Sequence, residues 1–146
     1  MNLLQNVKVD QVLGYYAAGT TKRTSDIIDM ANYDGVMFVF ELGTVLENGT
    51  IDCFVEQNTA NATSGMARLA TTTVHTVTAA NATAAKSAIV VDVFQPQKRY
   101  LQANITPAVA NAVILGITAI RYSGRVKPDA NAGLLKSTQL ISPAQA

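Results

Sequence analysis

The sequence has no tryptophan, a single cysteine and a single histidine among its 146 residues. One cysteine cannot form a disulfide within the chain, so this is not a disulfide scaffold. Cys53 lies in a strand-like run, and we interpret it as a small buried hydrophobe. His75 has no partner at the spacing of a metal motif such as His-x-His or Glu-x-x-His. We therefore expect no metal site.

Catalytic motifs are also missing from the sequence. There is no Gly-x-Ser-x-Gly elbow for a nucleophile and no Gly-rich loop ending in Lys-Ser/Thr for a phosphate. Asp26 and Asp29 are close in sequence, but their surroundings are typical of a capped turn, which is how we interpret them. We predict that the protein is not an enzyme and uses no cofactor.

Charge is scarce and balanced. Charged residues make up 14% of the chain, against about 25% in an average soluble domain. The 11 basic and 10 acidic residues give a net charge of +1, and the densest basic cluster is Lys98-Arg99. Binding to nucleic acid or to an acidic membrane surface needs a concentrated positive patch. We expect neither partner, and a surface of small polar residues suits lasting contact with other proteins.

Long apolar runs are absent as well. No stretch reaches the roughly 18 to 20 apolar residues needed to span a bilayer, and the longest apolar region, 108–120, is interrupted by Asn111, Gly116 and Thr118. The first residues lack a charged region followed by an apolar stretch, so we expect no secretory signal.

What the sequence does contain is a series of short β-branched and aromatic runs separated by turn residues. Asn48-Gly49 is typical of a tight turn, and we predict that it joins the first two strands in a hairpin. Pro96 and Pro107 are expected to end strands, because proline cannot donate to a ladder. The predicted fold is an all-β, jelly-roll-like β-sandwich. Its expected strands are 36–42, 50–57, 71–78, 88–94, 98–105 and 112–122, the last broken or bulged at Gly116.

The ends of the chain differ from its middle. Residues 1–24 have weak, mixed periodicity and a run of small residues, so we predict an N-terminal arm. Residues 25–123 hold the predicted strands and form the β-sandwich core. Residues 124–146 contain Pro128, Gly133 and Pro143, and we predict an extended C-terminal tail.

Tyrosine and arginine supply the candidate contact residues. Phe38, Phe40, Phe54 and Phe94 lie in predicted strands and are expected to be mostly core. Tyrosine suits interfaces better, because it combines a large ring with a polar tip. Arg99-Tyr100 and Arg121-Tyr122 repeat one dipeptide on two strands, which would form a single patch if those strands were neighbours. The candidate subunit interface is Tyr15, Tyr16, Tyr33, Arg99, Tyr100, Arg121 and Tyr122.

Two segments resemble small virion structural proteins of tailed bacteriophages. Residues 26–38, continuing to Leu42-Gly43, resemble the N-terminal half of that group. Residues 91–100 are similar to its second shared block, a strand, a proline turn and an Arg-Tyr strand. The resemblance implies a capsid decoration or cement protein, made in the host cytoplasm and located on the capsid surface of the virion. It implies the major capsid protein as partner and a homo-oligomer, with a trimer favoured.

Three alternatives remain open at this point. A head-tail connector or tail component would share the same fold signals. A ligand-binding β-sandwich, for example for carbohydrate, would need an aromatic platform with polar neighbours, which the absence of tryptophan weakens. An enzyme is the last alternative. The residues themselves favour a non-enzymatic structural protein that packs against other subunits.

Overall fold

The computed structural model describes residues 3–69, 74–82, 85–124 and 133–137. Its two helices are short, a 3₁₀ turn at Leu3–Gln5 and α1 at Ala79–Ala82. Within the described ranges, neither helix has the length or apolar character to cross a membrane. The strands are β1 (Lys8–Leu13), β2 (Tyr16–Gly19), β3 (Arg23–Asp29), β4 (Tyr33–Val45), β5 (Thr50–Asn58), β6 (Ala67–Arg68), β7 (His75–Thr76), β8 (Ser87–Phe94), β9 (Tyr100–Ala108) and β10 (Ala112–Gly124).

The strands form two antiparallel sheets that pack face to face. Sheet A has the order β1-β10-β4-β8, and β2 also pairs with β10. Sheet B has the order β3-β9-β5-β6, and β7 also pairs with β5. The chain passes from one sheet to the other between β2 and β3, β3 and β4, β4 and β5, β7 and β8, β8 and β9, and β9 and β10. This confirms the predicted β-sandwich, and the crossing pattern agrees with a jelly-roll-like arrangement.

The core lies between the sheets and follows the strand alternation. Phe38 and Phe40 of β4 are fully buried, as are Leu101 and Ile105 of β9 and Ile117 of β10. Each large apolar side chain removed from water contributes about 1.5–3 kcal/mol. Successive side chains on a strand point to opposite faces, so burying one set leaves the other set on the outside of the sandwich.

The predicted hairpin between the first two strands is wrong. β4 pairs with β10 and β8 in sheet A, whereas β5 pairs with β9 in sheet B. The turn itself is real, since Asn48 has φ 64° and the Gly49 N–H donates to the Leu46 carbonyl at 3.0 Å. A turn sequence indicates where the chain reverses, but it does not indicate whether the next strand stays in the same sheet.

Part of the predicted N-terminal arm belongs to sheet A. β1 pairs with β10, and Val12 and Leu13 lie in the core. The register shifts between Gln11 and Leu13. This bulge buries two consecutive side chains, which explains the mixed periodicity of the segment.

The C-terminal tail is described only in part. Beyond Gly124, which ends β10, residues 133–137 are the described portion. Gly133 lies against β1, where a Cβ added to it would be 2.8 Å from Gln11 Cβ. The rest of the predicted tail lies outside the described residues.

Two other strand predictions need adjustment. β9 continues through Pro107, which is fully buried opposite Ile51, so this proline does not end the strand. Of the predicted strand 71–78, the structure has only β7 at His75–Thr76, and residues 71–73 lie outside the described ranges.

Candidate protein-interaction surface

The outer face of sheet B is polar, and its side chains are engaged with one another. The Asn104 amide donates to Glu56 Oε2 at 2.9 Å, and the Thr24 hydroxyl donates to Asn104 Oδ1 at 2.8 Å. Arg68 forms two hydrogen bonds of 2.8 Å with the Asp52 carboxylate. Satisfied polar groups of this kind suit contact with water.

Even the one large apolar ring on this face is covered. The guanidinium of Arg68 lies 4.2 Å from the centroid of the Phe54 ring, and the Lys22 ammonium lies 5.2 Å from it. Cations favour the face of an aromatic ring, and their stems shield it from solvent. Only 8% of Phe54 remains exposed.

The outer face of sheet A is different, because apolar side chains dominate it. Val90, Phe94 and Leu115 are 54%, 59% and 44% exposed. Half-buried apolar residues fill the strands around them. We define the apolar face as the outward side chains of Val9, Met37, Val39, Val90, Phe94, Leu115 and Ile120.

Strand register makes the apolar face continuous. Val39 on β4 lies opposite Val90 on β8, and Met37 lies opposite Ile120 on β10. Ile120 in turn lies opposite Val9 on β1. The face therefore crosses all four strands of the main path. Contiguous exposed apolar surface on a folded domain typically marks an interaction site.

A small polar group sits within the apolar face. The Thr118 hydroxyl lies 2.8 Å from Gln11 Oε1 and 3.2 Å from Glu41 Oε1. The Gln11 amide donates to the Leu13 carbonyl at 2.9 Å. These groups are largely satisfied among themselves, which lowers the cost of covering them with another protein.

An aromatic pair borders one end of the apolar face. Tyr122 lies across Gly35, where an added Cβ would be 2.3 Å from the ring. The rings of Phe94 and Tyr122 are parallel within 5°, with centroids 6.4 Å apart. The Tyr122 hydroxyl donates to Asp92 Oδ1 at 2.7 Å. Burial, and then this bond to a carboxylate, raise the pKa of Tyr122 to about 12.

The two Arg-Tyr dipeptides meet at Asp29, although their strands are in different sheets. Arg99 donates from Nε and Nη2 to the two Asp29 carboxylate oxygens, both at 2.8 Å. Arg121 donates from Nη1 to the Asp29 carbonyl at 2.6 Å. The hydrogen bond from Arg99 holds the pKa of Asp29 below its usual value, with further help from the Ala31 N–H. Burial acts in the opposite direction.

Arg121 has a structural role inside the sandwich. It is 8% exposed and forms an ion pair with Asp10, which is 3% exposed. Its guanidinium also lies 5.2 Å from the centroid of the Tyr33 ring. These contacts tie β1, β10 and the end of β3 together.

The predicted interface residues other than the buried Arg121 lie at two ends of the molecule. Tyr33, Arg99, Tyr100 and Tyr122 lie at the end defined by Asp29. Tyr15, which is 65% exposed, and Tyr16, whose ring is 4.1 Å from the Arg23 guanidinium, belong to the other end. An interface role for any of the seven stays a prediction.

Sequence reasoning did not identify the apolar face. Phe94 was expected in the core, and that expectation is wrong, since its side chain is exposed beside Tyr122. Strand 88–94 is apolar at nearly every position, so the sequence predicts a strand that is covered on both faces. By strand alternation Asp92 shares a face with Val90 and Phe94, so this one charged residue was the signal in the sequence that their set points outward and that Val91 faces the core.

The two most reactive side chains lie in different environments. Cys53 is 3% exposed, and burial raises the pKa of its thiol. His75 is exposed, and its Nε2 lies 3.4 Å from the Asn81 amide nitrogen. Among the described residues, no cluster of three or more histidine, cysteine or acidic residues has the geometry to hold a metal ion.

A cavity of about 350 Å³ lies between the ends of the sheets near His75. Its described lining is mostly aliphatic and includes no Phe, Tyr or Trp ring, the platforms on which sugars usually stack. The residues along it are Leu42, Val45, Ile51, His75, Val77, Asn81, Ser87, Ala88 and Ile89.

Comparison with known proteins gives no further guide. No protein-family model matches this chain, and no curated protein matches it.

Proposed function

We propose that this chain is a non-enzymatic structural subunit of a tailed-phage virion, a decoration protein that binds the major capsid protein on the outside of the head. The observation that carries the proposal is the apolar face of sheet A. A sandwich with one polar face and one apolar face is built to be covered on one side. The resemblance of 26–43 and 91–100 to phage virion proteins supports this class of partner.

The chemistry of the two faces supports lasting contact with protein. The apolar face contains few charges, so covering it removes little hydration from ionised groups. Many equal copies on a particle would strengthen a modest contact through multivalency. A homo-oligomer, with the trimer implied by the resemblance, would fit this use.

The first experiment measures copy number. Virus particles that carry this chain are purified, and the chain is quantified against the major capsid protein by mass spectrometry. A copy number comparable to the capsid protein supports decoration. A few copies per particle would indicate the neck or tail instead, and absence from the particle would overturn the virion proposal.

A matched pair of variants then tests the face. Val39→Lys places a charge in the middle of the apolar face, on a half-buried position of a central strand. Thr106→Lys places the same charge at a half-buried position on the outer face of sheet B, next to Asp52. We expect particles lacking the protein to bind the Thr106 variant normally and the Val39 variant poorly. Equal binding would remove the apolar face from the interface.

A further inference from the structure

Within the part of the chain that the structure describes, β8 is an edge strand of sheet A. Among the described residues it pairs with β4 alone. The pairing has eight consecutive positions without a register shift, and its end positions are Ser87 opposite Leu42 and Phe94 opposite Gly35. An edge strand of this length and regularity presents a row of backbone donors and acceptors that another strand can use.

The other edges of the two sheets carry protection that β8 lacks. β1 is bulged and has Gly133 packed against it. β3 has a register shift and several charged residues, and β6 is only two residues long. β8 contains no proline, no bulge and one charge, Asp92. Natural edge strands are normally protected from pairing by bulges, charged residues, proline, short length or a covering segment.

We propose that β8 pairs antiparallel with β8 of a second copy of this chain, across a two-fold axis at Val90. Such an isologous contact requires a self-complementary surface. β8 meets this requirement in its outward side chains, which are small or apolar except for Asp92. The exposed Lys86, just before the strand, has the opposite charge.

The register follows from the pleat and the charges. Residues directly opposite in an antiparallel pair share one face, so outward residues must meet outward residues. With Val90 opposite Val90 of the partner subunit, seven strand positions overlap and Ala88 meets Asp92 of the partner subunit. Lys86 then lies diagonal to that same Asp92, within reach of its long side chain. Each copy supplies both charges, so the contact occurs twice.

The pairing would extend sheet A across two molecules. The apolar faces of the two copies would join into one surface, which is about twice as wide. The contact does not depend on a virion role, and it is separate from any three-fold contact made through another surface.

Cysteine cross-linking tests the axis directly. Val90→Cys would place two thiols opposite each other, where Cβ atoms of paired residues are about 4.5–5.5 Å apart. We expect mild oxidation to convert most of this variant to a covalent dimer. The parent protein is a built-in control, because its Cys53 is buried.

Leu115→Cys is the matched control on the same face. Leu115 is 44% exposed on β10, two strands from β8. Five strand spacings would separate the two β10 strands of the pair, about 24 Å, which is too far for a disulfide. Cross-linking of Leu115→Cys equal to that of Val90→Cys would overturn the proposal, and so would the absence of any dimer with Val90→Cys.

A charge exchange tests the register. Asp92→Lys brings like charges together at both diagonals, so we expect dimerisation to weaken by about tenfold in sedimentation equilibrium. The double variant Lys86→Asp/Asp92→Lys restores opposite charges and should recover the dimer. Both variants lose the Tyr122 hydrogen bond equally, so that loss cannot explain a difference. Failure of the exchange to restore the dimer would reject this register.

A last comparison separates this inference from the proposed function. Val90→Lys places two lysines on the axis and should yield a protein without the β8 contact, so a Val90→Lys protein that remains dimeric would overturn the edge pairing. Val90 also belongs to the apolar face, so particle binding is measured with Asp92→Lys, which lies outside that face as defined, beside Val39→Lys. Loss of the dimer with Asp92→Lys reports on the edge pairing, and loss of particle binding with Val39→Lys reports on the apolar face.

Discussion

At the scale of single residues, two arginines have different roles at the Asp29 end of the sandwich. Arg121 is buried and paired with Asp10, whereas Arg99 reaches Asp29 from the surface. Removing one partner of a buried pair leaves the other charge without compensation, but an exposed pair is already screened by water. The two arginines should therefore respond very differently to substitution.

Arg121→Met should destabilise the fold by about 3–5 kcal/mol, because it removes the cation that forms an ion pair with the buried Asp10 carboxylate. Arg99→Met is the matched control and should change stability much less. Urea unfolding followed by circular dichroism measures both. Similar losses for the two variants would contradict the assignment of Arg121 to the interior.

Gly35 is another residue whose role is local and testable. A Cβ at this position would lie 2.3 Å from the Tyr122 ring, so Gly35→Ala must displace the ring and its bond to Asp92. The pKa of Tyr122 should then fall from about 12 towards its ordinary value of 10.0. Ultraviolet titration should show one additional tyrosinate near pH 11 in the variant.

The same titration has a clear control and a consequence for stability. Tyr122→Phe should abolish the difference between the parent and Gly35→Ala backgrounds. In the parent, the folded state keeps Tyr122 protonated where the unfolded state loses the proton. Stability is therefore fully present below about pH 10 and declines as the pH rises towards 12. A parent protein whose five tyrosines all titrate near pH 10 would contradict this.

At the scale of elements, β10 is shaped by its bulge. The register shifts between Ile114 and Gly116, and β1 crosses close to this point. A Cβ on Gly116 would lie 2.6 Å from Gln11 Nε2 and 2.7 Å from the Leu13 carbonyl. The second contact is with backbone, which cannot move aside easily. Glycine thus permits the close approach of β1 to β10.

Gly116→Ala should destabilise the protein by about 1–3 kcal/mol, the range for overpacking a tight site. Gly14→Ala is the control, because an added Cβ there meets nothing within 4 Å. Thermal unfolding distinguishes them, with a lower midpoint expected only for Gly116→Ala. A neutral Gly116 variant would mean that β1 can shift away from β10.

The predictable elements were those with strong local signals. Strands 36–42, 50–57, 88–94 and 112–122 correspond to β4, β5, β8 and β10, and the bulge at Gly116 is confirmed. Their β-branched and aromatic content and the alternation of their side chains identify each of them as a strand from its own short segment of sequence. The partners of each strand are not decided locally. This is why the turn at Asn48 was correct while the hairpin it implied was wrong.

The candidate surface was harder to predict for a related reason. The apolar face combines Val39, Ile120 and Val90 from three strands that are distant in sequence. These three residues become neighbours only through the order of the strands in sheet A, and no single segment of the sequence determines that order. The Arg-Tyr dipeptides meet for an equally non-local reason, through Asp29 and not through strand pairing.

At the scale of the whole molecule, polarity is divided between the two sheets. The outer face of sheet B has charged side chains and hydrogen-bonded amide side chains. The outer face of sheet A has mainly aliphatic and aromatic side chains. A net charge of +1 gives the molecule little long-range attraction for a charged partner. Binding energy must come mainly from covering the apolar face.

This division predicts the thermodynamics of binding to capsid particles that lack the protein. Because few charges lie on the apolar face, affinity should change by less than about threefold between 50 and 500 mM salt. Burial of apolar surface should give a negative heat-capacity change in titration calorimetry across several temperatures. Val39→Lys should weaken binding and Thr106→Lys should leave both signatures unchanged. An affinity that falls steeply with salt, with no heat-capacity change, would instead assign binding to the charged outer face of sheet B.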